Sequence, residues 1–193
     1  SRSIIADLIT NLTNLGAVAI GFDVVFSEAD RLNPDIVAGQ MRYLDEVTRA
    51  KLRELPSNDQ IMADAVKRSR VVLGETGLPA VTSALDKSLP FTGVATVGEQ
   101  GGDEFLFEYP GLLRNVPVIE KAAAGRGLFS IPTERDGLIR RVPMVLRAQD
   151  MVMPSLSLEI LRVVTGTPTL LLRTDKVGVR AVRLKGLEIP TDE

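Results

Sequence analysis

The sequence contains no cysteine and no histidine. Without cysteine a disulfide framework, thiolate chemistry and a zinc–cysteine site are all excluded. Without histidine the usual general base and the commonest transition-metal ligand are missing, so no Ser-His-Asp arrangement exists and catalysis would rest on carboxylates, Lys, Tyr or Ser. No Ser-Lys pair stands in a nucleophile motif. Glycines 98–102 do not sit between a strand and a capped helix beside a cation, so no phosphate-cradling loop and no cofactor are expected. No apolar run approaches the roughly 20 residues that cross a bilayer. A formal charge of −2 removes bulk electrostatic attraction to nucleic acid.

What remains is an ordinary globular composition, 45% hydrophobic and 25% charged over 193 residues. That length buries a full core as one domain, and no internal repeat or composition shift marks a second. The first residues, Ser1-Arg2-Ser3, lack an initiator methionine and run straight into a helical pattern. The chain is therefore expected to be a piece of a longer protein.

Hydrophobic spacing predicts the elements. Ile5, Leu8, Leu12 and Leu15 form the apolar stripe of an opening helix that Gly16 ends. The almost continuously apolar residues 17–26 predict a buried central strand. Asn33-Pro34 starts a helix whose stripe runs Val37, Met41, Leu44, Leu52 and Leu55 until Pro56 stops it. Ser57-Asn58-Asp59-Gln60 caps a second helix with Ile61, Met62, Ala65 and Val66 turned inward, and Val71-Val72-Leu73-Gly74 is the next strand. Strand, helices and strand make a βαβ unit with a parallel crossover. Residues 75–110 carry many turn formers, and only Val94-Ala95-Thr96-Val97 reads as a strand, with Gly101-Gly102-Asp103 a flexible tip. Residues 116–124 predict a short helix closed by Gly125. Residues 127–131 predict a strand paired through an Asp136-Gly137 turn to residues 138–146, with Met151 to Met153 adding to that sheet. Ser155 caps a helix ending at Gly166, and residues 170–173 pair with 179–184 as a hairpin. The fold class is α/β: a single domain with a mixed central sheet, a parallel βαβ N-terminal half, antiparallel C-terminal hairpins and flanking helices.

Two constellations carry charge. Asp23, Glu28 and Asp30 follow the first strand, where open α/β folds place ligand crevices, and hard cations favour such oxygens. Capping turns and pairing with cations is the simpler role. A phosphatase of the haloacid-dehalogenase kind expects a second Asp two residues after the first, and Val25 stands there instead. The second constellation is Arg135, Asp136, Arg140 and Arg141. Side chains alternate along a strand, so Arg140 and Arg141 face opposite sides, and at least one is expected on the covered face with a carboxylate from residues 21–31 as its partner. Guanidinium groups also bind anionic ligands in pairs. The candidate ligand-binding residues are thus Asp23, Glu28, Asp30, Arg135, Asp136, Arg140 and Arg141, with catalytic and metal-binding residues expected to be absent.

Five segments in this order resemble a family. They are residues 16–31 around Gly21-Phe22-Asp23-Val24-Val25-Phe26-Ser27-Glu28, Asn58-Asp59 with residues 63–66, and Val71-Val72-Leu73-Gly74. Asp136-Gly137-Leu138-Ile139-Arg140-Arg141-Val142-Pro143 and Pro154-Ser155-Leu156-Ser157-Leu158-Glu159 complete the set. Together they resemble the CHASE domain of the second type, the cyclase- and histidine-kinase-associated sensory extracellular domain. The resemblance implies a non-enzymatic, periplasmic or extracellular input domain of an integral membrane receptor. It implies flanking membrane helices, a homodimeric receptor, and a cytoplasmic output module such as an adenylate or guanylate cyclase or a histidine kinase. The stimulus, a small molecule or a physical state, would shift the flanking helices through residues 4–15. Two other readings stay open: a ligand-free dimerisation or spacer module, and a carboxylate-dependent metal hydrolase.

Overall fold

A computed structural model describes residues 1–82, 89–98, 102–132 and 136–192 of the chain. Helix α1 (Arg2–Asn14) leads into strand β1 (Ile20–Phe22), and helices α2 (Pro34–Gln40), α3 (Glu46–Glu54) and α4 (Asn58–Lys67) carry the chain to strand β2 (Val71–Leu78). Then come β3 (Gly93–Gly98), a 3-10 turn (Gly102–Phe105), β4 (Glu108–Tyr109), β5 (Gly111–Leu113), α5 (Pro117–Ala122) and β6 (Gly125–Leu128). The chain closes with β7 (Val145–Ala148), β8 (Met151–Pro154), α6 (Leu156–Thr165), β9 (Thr169–Asp175), β10 (Gly178–Leu184) and β11 (Leu187–Pro190).

The class is mixed α/β, as the periodicity predicts, and among the described residues the pairings fall into three sheets. In the first, β2 pairs in parallel with β1 and β6 and antiparallel with β5. The Ile20↔Val71 register is the expected parallel crossover. In the second, β9 lies between β3, which is parallel, and β10, which is antiparallel and carries β11 on its far side. The third joins β4, β7 and β8. Buried Ile9, Met62, Val66, Leu73 and Ile119 form the core under the first sheet. Leu158 of α6 joins the core of the second sheet through Leu170, Leu172, Val182 and Leu184.

Several elements depart from their sequence patterns for identifiable reasons. Strand β1 is three residues long instead of spanning 17–26, and Phe26 N, beyond its end, donates to the Asn115 side chain at 2.8 Å. Helix α1 buries Ala6 and Ile9, while Leu8 and Leu15 face outward. Polar anchors set that rotation: Arg2 pairs with Asp59 at one end, and Thr13 bonds Ser69 at 2.8 Å at the other. The helix expected from Asn33 onward breaks after Gln40, and Asp45 caps a new one by accepting from Thr48 N at 2.9 Å. Asn33 does not cap α2; its amide donates to Asp59 at 2.8 Å and its carbonyl oxygen accepts from Asn58 N.

The hairpin expected between residues 127–131 and 138–146 does not form. Strand β6 pairs in parallel with β2, and β7 pairs with β8 through a Gln149-Asp150 turn in which both residues have positive φ. That is the mirror-image turn whose twist suits a hairpin. Gly125 does not close α5; it begins β6, where a Cβ would collide with the Glu159 carboxylate. The helix caps at Ser57 and at Ser155, the Gly166 C-cap and the β9–β10 hairpin stand where the sequence puts them.

Candidate functional site

The described residues among those singled out from sequence lie in separate surface regions. Asp23 is exposed, and exposed Glu28 comes within 3.9 Å of Arg31, its neighbour three residues on. Asp30 accepts from Arg2 N at 2.6 Å, Leu32 N at 3.0 Å and the Ser1 hydroxyl at 3.2 Å. Burial works to raise its pKa, but these donors win and hold the carboxyl below its ordinary value. The cation serving the acidic stretch is therefore Arg2, which lies over the Phe26 ring at 5.4 Å, pairs with buried Asp59 and donates to the Glu28 carbonyl.

Arg140 and Arg141 are both exposed, because residues 138–143 are not a strand. Arg140 grips Asp136 in a two-point pair at 2.7 and 3.0 Å, which lowers the Asp136 pKa. Asp136 also accepts from Leu138 N, completing a turn with Gly137 at φ +78°. Arg141 reaches Asp192 at 4.0 Å. The expected covered arginine is corrected: neither side chain pairs with residues 21–31. Arg135 lies outside the described residues.

The buried charge sits elsewhere, where three glutamates and their arginines converge from five segments. Glu75 on β2, Glu120 on α5 and Glu159 on α6 are each fully buried. Glu159 is completely satisfied: Arg162 meets it with two bonds at 2.7 and 2.8 Å, Thr92 donates at 2.7 Å and Arg126 N at 3.1 Å. Such a network ties α6 to β6 and the segment before β3.

Glu75 differs in kind. Arg114, just after β5, approaches it at 3.4 Å without hydrogen-bond geometry, and both Glu75 oxygens are without a hydrogen-bond partner. Arg114 itself donates to Glu120, stacks over Phe91 at 4.9 Å, and leaves Nε and Nη1 unpartnered. Arg126, on β6, donates from Nη2 to the carbonyls of Glu120 and Ala123, capping α5, while its Nε stays 3.8 Å from Glu120 and unpartnered. Burial, then the neighbouring Glu120 charge, pushes the Glu75 carboxyl up to about 8 against the pull of the arginines. Glu75 is therefore protonated far more readily than a free carboxyl, and a proton shared between it and Glu120 relieves the repulsion of the pair.

Glu75, Arg114 and Arg126 form the polar end of a cavity of about 380 Å³. Its remaining wall is largely apolar, with Phe91, Val94, Met151 and Met153 prominent. A mostly apolar concavity with a few convergent polar groups has the form of a small-molecule site. A smaller cavity of about 200 Å³ beside Met144 and Val179 is bordered by Arg180, which is already paired with Asp175. Among the described residues no three carboxylates gather as a metal site.

One signal for the buried cluster is present in the sequence: Glu75 directly follows the apolar run 71–74, and Glu120 and Glu159 each adjoin buried apolar residues. A carboxylate in such a place requires a cation, yet the sequence does not identify which arginine comes near. No helix among the described residues is long and apolar enough to cross a membrane.

The CHASE2 domain family model matches residues 1–193, the whole chain. No curated protein and no solved structure matches it.

Proposed function

This chain belongs to the CHASE2 family of sensory extracellular domains associated with cyclases and kinases, and from that membership we propose that it is the stimulus-sensing domain of a transmembrane signalling receptor. In this reading it stands on the extracytoplasmic face of the membrane, with flanking membrane helices, and regulates a cytoplasmic cyclase or histidine kinase. It performs no catalysis itself. The observation that supports the reading is the cavity lined by Glu75, Arg114 and Arg126, a cluster that leaves several buried polar atoms unpartnered. A ligand changes output only by binding two conformations unequally. The cluster suits that role, because its groups come from β2, α5, β6 and the end of β5, so any shift in one element is felt by the others.

In the full-length receptor, Val152→Phe narrows the cavity and should change output, measured as product formed per receptor in isolated membranes. Unchanged output from a folded receptor would refute the sensing role. Placement is testable separately, because the chain has no cysteine. Tyr43→Cys, at a fully exposed site, should react with a membrane-impermeant maleimide added outside intact cells.

A dimerisation role has one observation in its favour. Ile4 and Leu8 on the outer face of α1 and Leu15 at its C-cap are 69%, 49% and 85% exposed, so an apolar edge is left uncovered along the first helix. Leu8→Glu should lower the dimer fraction in sedimentation if that edge pairs with a second copy, and leave it unchanged if it does not.

A further inference from the structure

We propose that the cavity between β2, β6 and β8 binds a small organic monocarboxylate, its carboxylate held by Arg114 and Arg126 and its apolar body lying against Phe91, Val94, Met151 and Met153. This rests on the sensing role and names the chemistry sensed.

Charge selects the ligand class. Arg114 and Arg126 bring two positive charges to the polar end, and Glu120 supplies one negative charge behind them. The raised Glu75 pKa means that Glu75 and Glu120 together carry less than two negative charges against the two arginines, which leaves a positive excess in a largely apolar setting. Uncompensated charge of that kind is costly, and one carboxylate neutralises it. A dianion would overshoot, and an ammonium would add to the excess.

Donor geometry agrees with charge. Arg114 and Arg126 line the cavity, and Arg114 Nε and Nη1 and Arg126 Nε have no hydrogen-bond partner; two of them face Glu75 and Glu120 and none touches solvent, so a carboxylate engages them by turning the guanidinium groups toward the cavity. A carboxylate offers several lone pairs in one plane, the shape that guanidinium forks match best. The contrast with Glu159 is direct: there every oxygen is met by protein donors, so that network has nothing to offer a ligand.

The cavity's size and wall define the rest of the molecule. About 380 Å³, mostly lined by side-chain carbon and thioether groups, holds a body of several carbons, and methionine adapts to irregular shapes. Raising the pH ionises Glu75, which then competes for both arginines and repels the ligand. The groups around Glu75 are Arg114, Glu120 and Arg126, with Glu159 beyond them.

The test is calorimetric titration of the 193-residue chain with the straight-chain carboxylates from butanoate to octanoate, alongside hexanamide and hexylamine. At least one carboxylate should bind saturably at pH 6.5, with the amide and amine at least tenfold weaker. Val152→Phe should abolish binding while preserving the circular dichroism spectrum. Moving to pH 9 should weaken binding at least tenfold in the parent chain and far less in Glu75→Gln. Binding by no carboxylate, equal binding by hexanamide, or full binding to Val152→Phe would each overturn the proposal. Carboxylate binding that leaves receptor output unaltered would keep the site and remove its sensory role. Altered output from Val152→Phe without carboxylate binding would do the reverse.

Discussion

Glu75→Gln should stabilise this protein increasingly as the pH rises. The substitution keeps the shape of the side chain and removes its ionisation. In the folded chain the Glu75 carboxyl titrates at about 8, against 4.5 when unperturbed. A pKa raised by folding means that the folded state binds the proton more tightly. The resulting stabilisation is fully present below pH 4.5 and is lost as the pH climbs toward 8. At about 1.4 kcal/mol per tenfold change, wild type loses on the order of 4 kcal/mol from this group by pH 8 relative to pH 4. The glutamine variant has no such loss, and its amide can donate to the unpartnered Glu120 oxygen. The difference between their profiles reports Glu75 together with the Glu120 carboxylate to which it is coupled. For a chain of this length the gain at pH 8 corresponds to a melting midpoint about 10 °C higher. Urea unfolding at half-unit steps from pH 5 to pH 8 measures it, provided the denaturant slope is unchanged. Parallel profiles would show that Glu75 is ionised in the fold and that its surroundings have been misread.

Three further outcomes test the framework around the site. Asp59→Ala leaves the largely covered Arg2 without its carboxylate and removes the acceptor of the buried Asn33 amide, so stability should fall by about 3 kcal/mol in the same assay. Gly125→Ala drives a methyl group into the Glu159 carboxylate and should lower the melting midpoint clearly, whereas Gly39→Ala, with open space around it on α2, should not. Arg140→Ala removes an ion pair whose two side chains are about half exposed, and should leave the midpoint unchanged; a clear fall would reveal a structural role that its local pairing with Asp136 does not predict.

Legibility varied with the range of the interaction that decides each element. Ser57, Ser155 and Gly166 are read correctly because a cap is a bond between residues a few positions apart. The β7–β8 turn escaped detection because Gln149 and Asp150 adopt positive φ without the glycine that usually announces it. The Asp136-Gly137 turn exists, yet a turn between two apolar runs does not specify which strands pair, and β6 found β2 instead. The stripe of α1 was misplaced by one position because Arg2 and Thr13, read as polar, are drawn inward by Asp59 and Ser69.

By itself the sequence determined the α/β class, the parallel crossover into β2, the capped helices, the absence of thiol and imidazole chemistry, and the family. All of these follow from composition, local periodicity, short-range hydrogen bonding or an ordered set of segments. Tertiary structure alone decided where the charge is buried. Arg114 and Arg126 reach Glu75 and Glu120 only after β5 and β6 have paired with β2, across sequence separations that no local pattern encodes. Arg140 and Arg141 remain in solvent, where Arg140 pairs with nearby Asp136, because residues 138–143 are not a strand and no sheet covers them.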